Sequence, residues 1–506
     1  MPLTIVFVHG WSVTNLNTYG EFPLRLRNEA AKNGIDLQVE EIFLGRYISF
    51  HDEVRLTDIS RAFKTAVQEQ FSTSLKKGSR FICITHSTGG PALRDWWSRY
   101  YNGKTEICPM SHLIMLAPAN FGSALAKLGK GKLSRLISWL EDAEPGQGVL
   151  DWLSLGSRES FELNVNWIQN GEKAIGTNGI FPFVITGQDI DRKFYDHLNT
   201  YTGETGSDGV VRVASANLQG RYIKLVQPKP FKNAKGQLDS SDFEEKEFSE
   251  AVKIPLRVVT KKSHSGDQMG IMKSVKADAI EDSSSETLKA ILDCVKVQSM
   301  EQYTNLCVQF DMETKAVQEQ SRLESENNIF TSQRYFIHDR YSMVIFRVCD
   351  SEGFPVTDYD LILTAGKNND PDHLPEGFFA DRQRNDKNPE VIAFYFNYDV
   401  MNGMALLKDA SGEEVRPALP GAEMLGFVIR PRPDSGFVQY VSCGIKANKD
   451  LLEKAIQPNS TTLIDVCLYR AVDKEVFRLE KLMGNLMPSK EAGDFSKKKP
   501  GGEIVD

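Results

Sequence analysis

The segment Phe81-Ile82-Cys83-Ile84-Thr85-His86-Ser87-Thr88-Gly89-Gly90 constrains this chain more than any other stretch. Apolar, partly β-branched residues run straight into a turn of small residues with a serine at its centre. A helix-compatible segment follows from Pro91 to Trp97. Strand, sharp turn and helix together hold a serine in strained backbone and lift its oxygen above the sheet. Small residues two places before and after the serine let strand and helix approach each other. Gly89 meets that need, whereas Thr85 stands where glycine is usual. Taken alone, the same letters also suit an ordinary β-to-α connection, so the rest of the chain has to decide.

At 506 residues the chain exceeds one ordinary domain, and two or three are expected. Its 41% hydrophobic and 25% charged content is that of a soluble globular protein. The net charge of -8 argues against a nucleic-acid partner and against a strongly basic membrane-docking face. No apolar run approaches the roughly 20 residues that span a bilayer. The first residues lack a basic region followed by an apolar core and cleavage site, so a cytoplasmic location is expected. A secretion route without a signal peptide stays open. Seven cysteines (Cys83, Cys108, Cys294, Cys307, Cys349, Cys443 and Cys467) are dispersed with no C-x-x-C pair, which predicts reduced, mostly buried thiols.

Up to about residue 270, strand-like and helix-like patterns alternate, as in a parallel sheet with helical crossovers. Leu3–Val8, Phe81–Thr85, His112–Ala117, Phe181–Thr186 and Ile254–Thr260 are the clearest strands. Most are nearly continuous apolar runs, which fits strands covered on both faces. Residues 123–179 interrupt the alternation. Leu133, Leu136, Ile137 and Leu140 fall at helical spacing, then comes a Gly/Pro break, then Val149, Leu150, Trp152, Leu153 and Leu155. This predicts a helical cap inserted over the sheet. Ser283–Val297 predicts an amphipathic helix that closes the first domain, 1–300. Beyond it Leu306–Phe310, Ser342–Val348, Leu361–Thr364, Val391–Phe396, Leu425–Ile429, Val438–Val441 and Thr461–Tyr469 read as strands of an antiparallel sandwich over 301–475. The Asp- and Asn-rich stretch Lys367–Pro389 admits calcium by composition, but its acids lack ligand spacing and a solvated loop is expected. No cofactor and no metal are otherwise expected. The segment 476–506 completes the chain and reads as disordered from about residue 488.

A serine that attacks an acyl group needs a base, a carboxylate to orient it and donors for the oxyanion. In a sheet of this type the chain order is serine, acid, histidine. His264, in Ser263-His264-Ser265-Gly266-Asp267 just after a late strand, is the favoured base; His197 is its competitor, while His338 and His373 lie in the β-rich part. Asp208, in Gly206-Ser207-Asp208-Gly209, falls between serine and histidine in the required order, with Asp189 and Asp191 as alternatives. Strand Leu3–Val8 ends in His9-Gly10-Trp11, so the backbone N–H of Trp11 and that of Thr88 are the expected oxyanion donors.

Four motifs in this order resemble the α/β-hydrolase lipases. They are the strand ending in His9-Gly10, the x-H-S-x-G turn, Ala117-Pro118-Ala119-Asn120-Phe121-Gly122-Ser123 after the next strand, and Ser207-Asp208-Gly209-Val210-Val211. The resemblance covers about residues 3–273 and implies Ser87 as nucleophile, Asp208 as acid and His264 as base. It implies an α/β-hydrolase sheet with an inserted lid, followed here by a β-sandwich-like domain outside the match. The zinc and calcium ligand sets of some relatives are not evident. All six tryptophans (Trp11, Trp96, Trp97, Trp139, Trp152 and Trp167) lie in the first third of the chain. Trp139 and Trp152, with Leu136 and Leu140, would line the lid over a lipid cleft; the same stripe also suits a plain cap core. A lipid acyl ester is therefore the expected substrate, phospholipid ahead of triacylglycerol, with a membrane surface or protein partner for the second domain. The same combination is similar to phospholipase effectors of type VI secretion systems. Two other functions stay open: hydrolysis or acyl transfer on a small soluble ester, and an inactive hydrolase scaffold acting as an interaction protein.

Overall fold

Short apolar runs separated by helices can bury both faces of each strand only in a parallel sheet with crossovers on either side. The computed structural model has that sheet; it describes residues 2–9, 19–48, 51–71, 79–128, 146–190, 204–235, 238–326, 334–435, 437–447 and 449–472. Six parallel strands lie in the order Leu256–Val258, Phe181–Thr186, Met110–Leu116, Phe81–His86, Leu3–His9 and Leu37–Phe43. The serine-bearing strand is central, with all of Phe81, Ile82, Cys83 and Ile84 buried. Strand Leu37–Phe43 was not anticipated. It occupies the sheet edge, where Glu40 and Glu41 break the apolar run without harm.

The part of the cap that is described contains a short turn at Ala124–Leu128, helices Gln147–Leu153 and Arg158–Asn170, and a second short turn at Gly171–Ala174. Trp152 is buried in the hydrolase core there. Leu136, Trp139 and Leu140 lie outside the described residues, as does the tail beyond residue 472.

Helix Ser285–Val295 forms where expected, but the strand expected at Leu306–Phe310 does not. Met300–Gln320 is one helix of 21 residues. Its buried side chains, Tyr303, Leu306, Cys307, Phe310, Thr314 and Val317, recur at three- and four-residue spacing, and Ser299 caps its start by accepting from the N–H of Gln302 at 3.2 Å. A five-residue window hides that period.

The β-rich part also departs from the antiparallel expectation. A mixed six-stranded sheet runs Phe379–Arg384, Val391–Asn397, Tyr341–Asp350, Thr461–Leu468, Arg221–Val226 and Glu244–Glu250. Its three central strands, Tyr341–Asp350, Thr461–Leu468 and Arg221–Val226, are parallel. Two of its strands therefore precede residue 300, so the two sheets do not divide at the expected boundary. A three-stranded antiparallel sheet, Tyr359–Ala365, Leu425–Pro431 and Cys443–Ala447, covers one face; Phe346 and Phe427 meet across the gap with ring centroids 4.9 Å apart.

The other face of the mixed sheet lies on the hydrolase. Along Tyr341–Asp350, Val344, Phe346 and Val348 enter the sandwich core, while Met343 and Ile345 enter the hydrolase core. Period-two alternation thus feeds two cores from one strand. At the seam, a Cβ on Gly156 would fall 2.3 Å from Val391 Cγ1, and the residue has φ +71°. Both the clash and the backbone strain penalise any side chain. Gly156→Ala should destabilise the protein by about 2–5 kcal/mol, read as a lowered urea midpoint.

Candidate active site

The strand Phe81–His86 and the helix Gly89–Tyr101 are joined by Ser87 and Thr88 alone. Ser87 takes φ +53°, a left-handed conformation that only a surrounding structure can impose on a serine. Its N–H bonds to Leu116 O at 3.0 Å, and its carbonyl accepts from Gly90 and Ala119. Thr85 is accommodated by the glycine opposite it. A Cβ on Gly89 would stand 3.1 Å from Thr85 Cβ, so side chains on both would crowd the contact between strand and helix. The Thr85 hydroxyl is buried without a hydrogen-bond partner, which marks it as a space filler.

His264 follows the last strand of the parallel sheet, and its Nε2 lies 3.0 Å from Ser87 Oγ. Its Nδ1 lies 2.9 Å from Asp208 Oδ2. A carboxylate oxygen can only accept, so Nδ1 carries the proton and Nε2 faces the serine hydroxyl as an acceptor. Asp208 has no exposed surface, and its other oxygen accepts from the N–H groups of Val210 at 3.0 Å and Val211 at 2.8 Å. The backbone N–H of His264 bonds to Asp208 O at 2.9 Å, so the two turns are tied by main chain as well as side chain.

His86 was passed over in the sequence. Its ring lies 4.6 Å from that of His264, and its Nε2 donates to the carbonyl of His264 at 3.1 Å. Burial, with His264 beside it, pushes its pKa well below the ordinary histidine value. A neutral His86 adds no like charge next to His264.

The alternatives are employed elsewhere or not described. Asp189 accepts from the N–H of Lys261 at 2.8 Å and so shapes the loop ahead of His264. His338 and His373 sit in the β-rich part, and His197 and Asp191 are outside the described residues. Trp11 is outside them too. Thr88 is buried at the start of its helix, where a backbone N–H has no acceptor within the helix. In the Asp- and Asn-rich stretch, Asp370 caps the turn Pro371–His373 and Asp381 turns to Arg212. Among the described residues no three His, Cys, Asp or Glu side chains converge as a metal-binding set.

Two sets of contacts hold the acid turn. The segment Pro118–Ser123 bridges it to the serine: Ala119 N–H reaches Ser87 O, and Ser123 Oγ donates to Val210 O at 2.6 Å. Arg94, pushed down to about 9 by burial, anchors this segment from the helix through Asn120 Oδ1 at 3.2 Å. From the other side the mixed sheet contributes. The Tyr395 hydroxyl lies 3.1 Å from the carbonyl oxygens of both Thr205 and Gly206. Arg212 is buried between Glu204 and Asp381, with its guanidinium 4.0 Å above the Tyr395 ring. Burial opposes its charge, and Glu204, Tyr395 and Asp381 outweigh that and keep it protonated. Nothing in the sequence near Asp208 signals Tyr395 and Asp381, which lie well over a hundred residues away.

Sheet, elbow and hydrogen-bonded residues together are those of an α/β-hydrolase of the lipase type. Across its full length the chain is similar to phospholipase PlaB from Legionella pneumophila. The identity is 39% with a TM-score of 0.82 over 100% of both chains. Against the same protein in complex with thio-NAD the values are 38% and 0.80, again over 100% of both chains. A lipase from Bacillus licheniformis, BlEst2, matches at 21% identity over 43% of this chain and 79% of its own, with a TM-score of 0.28 that carries no argument. No protein-family model and no curated protein sequence matches. The chain belongs to the PlaB family of α/β-hydrolase lipases and is a carboxylic ester hydrolase acting on lipids.

Two measurements follow from this geometry. Tyr395→Phe removes the hydroxyl that supports the acid turn. A loss of about 1–2 kcal/mol felt in the transition state lowers turnover roughly five- to thirtyfold with KM unchanged. The second concerns Lys262, which is fully buried two residues before His264 and donates to Ser274 Oγ at 2.6 Å and Ser284 Oγ at 2.9 Å. Burial pushes its pKa down to about 8, against the pull of Asp282 and Glu286. The unfolded chain then binds more protons between about pH 8 and 10.5, so this group makes stability rise with pH across that window. The rise is on the order of 3 kcal/mol. Urea midpoints of Lys262→Met against pH should lose that slope.

Proposed function

We propose that this protein is a phospholipase A that works through an acyl-enzyme intermediate, with Ser87 as nucleophile, His264 as base and Asp208 as the group that orients it. The observation that carries this reading is the continuous pair of contacts, Ser87 Oγ to His264 Nε2 at 3.0 Å and His264 Nδ1 to Asp208 at 2.9 Å. Full-length similarity to a phospholipase supports phospholipid as the ester.

Ser87 Oγ attacks the ester carbonyl carbon while its proton passes to His264 Nε2. The imidazolium so formed is stabilised by the Asp208 carboxylate, which stays ionised and acts through its hydrogen bond. Negative charge on the former carbonyl oxygen is met by the N–H of Thr88 and, in this reading, by that of Trp11. As the intermediate collapses, the carbon–oxygen bond to the glycerol oxygen breaks and His264 returns the proton to that oxygen. The lysophospholipid leaves, and the acyl group remains on Ser87. Water then gives its proton to His264 Nε2 and attacks the acyl carbon. Loss of the Ser87 oxygen, reprotonated by His264, frees the fatty acid and restores the starting state. Leu136, Trp139, Leu140 and Trp152 belong to the cap that covers the chain-binding cleft in this reading.

Ser87→Ala should lower the hydrolysis of phosphatidylcholine vesicles by about 10⁴- to 10⁶-fold, as in enzymes of this mechanism. Fatty-acid release from wild type and variant at matched protein concentration is the measurement. Activity within tenfold of wild type would remove Ser87 from the role.

A further inference from the structure

Between its two sheets the β-sandwich is not filled. A narrow cavity, open to solvent, lies between Phe346, Phe396 and Ile464 of the mixed sheet and Leu425 and Phe427 of the three-stranded sheet. Among the described residues Glu245 is the single charged one on its wall, and every other described lining residue is apolar or glycine. This cavity is not the cleft of Ser87. Phe396 and Ile464 point into it, whereas their neighbours Tyr395 and Leu463 point into the hydrolase core on the opposite face of the same sheet.

The chemistry of the wall narrows what fits. A polar ligand would lose its hydrogen bonds with water and find none inside. Water is no better placed, because it needs two to four polar partners to stay in such a space. A narrow apolar chain is what a wall of this composition takes. The rim adds a charge. Helix Lys449–Ala455 lines the cavity through Leu452 and Ala455, and next to them the exposed Lys454 Nζ bonds to the wall residue Glu245 through Oε1 at 2.8 Å. Lys454 is still 41% exposed, so an entering carboxylate can take the place of Glu245 on it. Around this mouth Leu363, Ile445 and Ile456 are half-buried.

We propose that this cavity binds one free fatty acid, with the hydrocarbon tail among Phe346, Phe396 and Phe427 and the carboxylate on Lys454. An apolar tail ending in a carboxylate matches an apolar cavity with an ammonium at its rim. It is also the compound a lipid ester hydrolase releases; the proposal rests on the lipase reading for the source of the ligand and not for its binding.

The full-length Ser87→Ala protein, titrated with the fluorescent fatty acid cis-parinaric acid, separates the two. Expected is saturable binding that survives loss of Ser87. The variants Ala455→Trp and Ala447→Trp, each placing a bulky ring in the mouth, should weaken the binding at least tenfold. Lys454→Met should weaken it about three- to tenfold, and the methyl ester of the same probe should gain nothing from Lys454. With Ser87 restored, both tryptophan variants should keep wild-type turnover on a short-chain soluble ester, which shows that they fold. Absence of saturable binding overturns the proposal. So does binding that changes by less than twofold in both tryptophan variants, since the probe then sits elsewhere. Failure of Ser87→Ala to abolish hydrolysis would instead strike the catalytic reading and leave the cavity result standing.

Discussion

A carboxylate with no exposed surface stands at the centre of this molecule, and the surrounding structure is arranged so that Asp208 can be there. Burying an ionised group is tolerable only when its oxygens are fully bonded. One oxygen of Asp208 takes two backbone N–H groups from its own turn, and the other takes His264 Nδ1. A turn that tight has to be held from outside. On one side Ser123 and Ser215 tie it to the segment that also touches Ser87; on the other Tyr395 and Asp381 reach it from the mixed sheet. The geometry around Ser87 is therefore set by residues from almost the whole length of the chain.

The mixed sheet explains why the second half of the protein is not an appendage. Its inner strands Val391–Asn397, Tyr341–Asp350 and Thr461–Leu468 carry buried apolar residues on both faces: one face builds the sandwich and the other completes the hydrolase. A strand of this kind cannot be removed without opening two cores. The buried Arg212 crosses the same seam, bonded to Glu204 on one side and Asp381 on the other. Removing one member of such a cluster leaves a buried charge without its partner, which is far more damaging than never having had the pair. The seam is thus both a structural joint and the back wall of the acid turn.

Much of the parallel sheet was legible because its strands are continuous apolar runs whose pattern depends on burial alone. The edge strand Leu37–Phe43 escaped because an edge tolerates Glu40 and Glu41. Helix Met300–Gln320 was misread at Leu306–Phe310 because five residues do not span a helical period twice, although Tyr303 to Val317 does. Strands Arg221–Val226 and Glu244–Glu250 were missed for different reasons. Arg221–Val226 pairs with Thr461–Leu468, more than 200 residues later, and nothing local announces a partner that distant, while Glu244–Glu250 is an edge strand with four glutamates and no apolar run. The placement of Ser87, Asp208 and His264 along the chain could be read from order and turn chemistry, whereas His86, Arg212 and Tyr395 could not.

Thr85 illustrates the division best. The sequence by itself determined that a serine would sit in a turn of small residues between a buried apolar strand and a helix. That pattern suits a strained turn and an ordinary β-to-α connection alike; the left-handed φ of +53° at Ser87 was decided by the structure. The sequence also determined that an acid and a histidine would follow in an order the sheet could bring together. Whether threonine could replace the usual glycine was decided in three dimensions, by the absence of a Cβ on Gly89 across a gap of 3.1 Å. Tertiary structure likewise decided what supports the acid turn, because contacts such as Tyr395 to Gly206 depend on how two sheets pack, and packing is not encoded in any short stretch of chain.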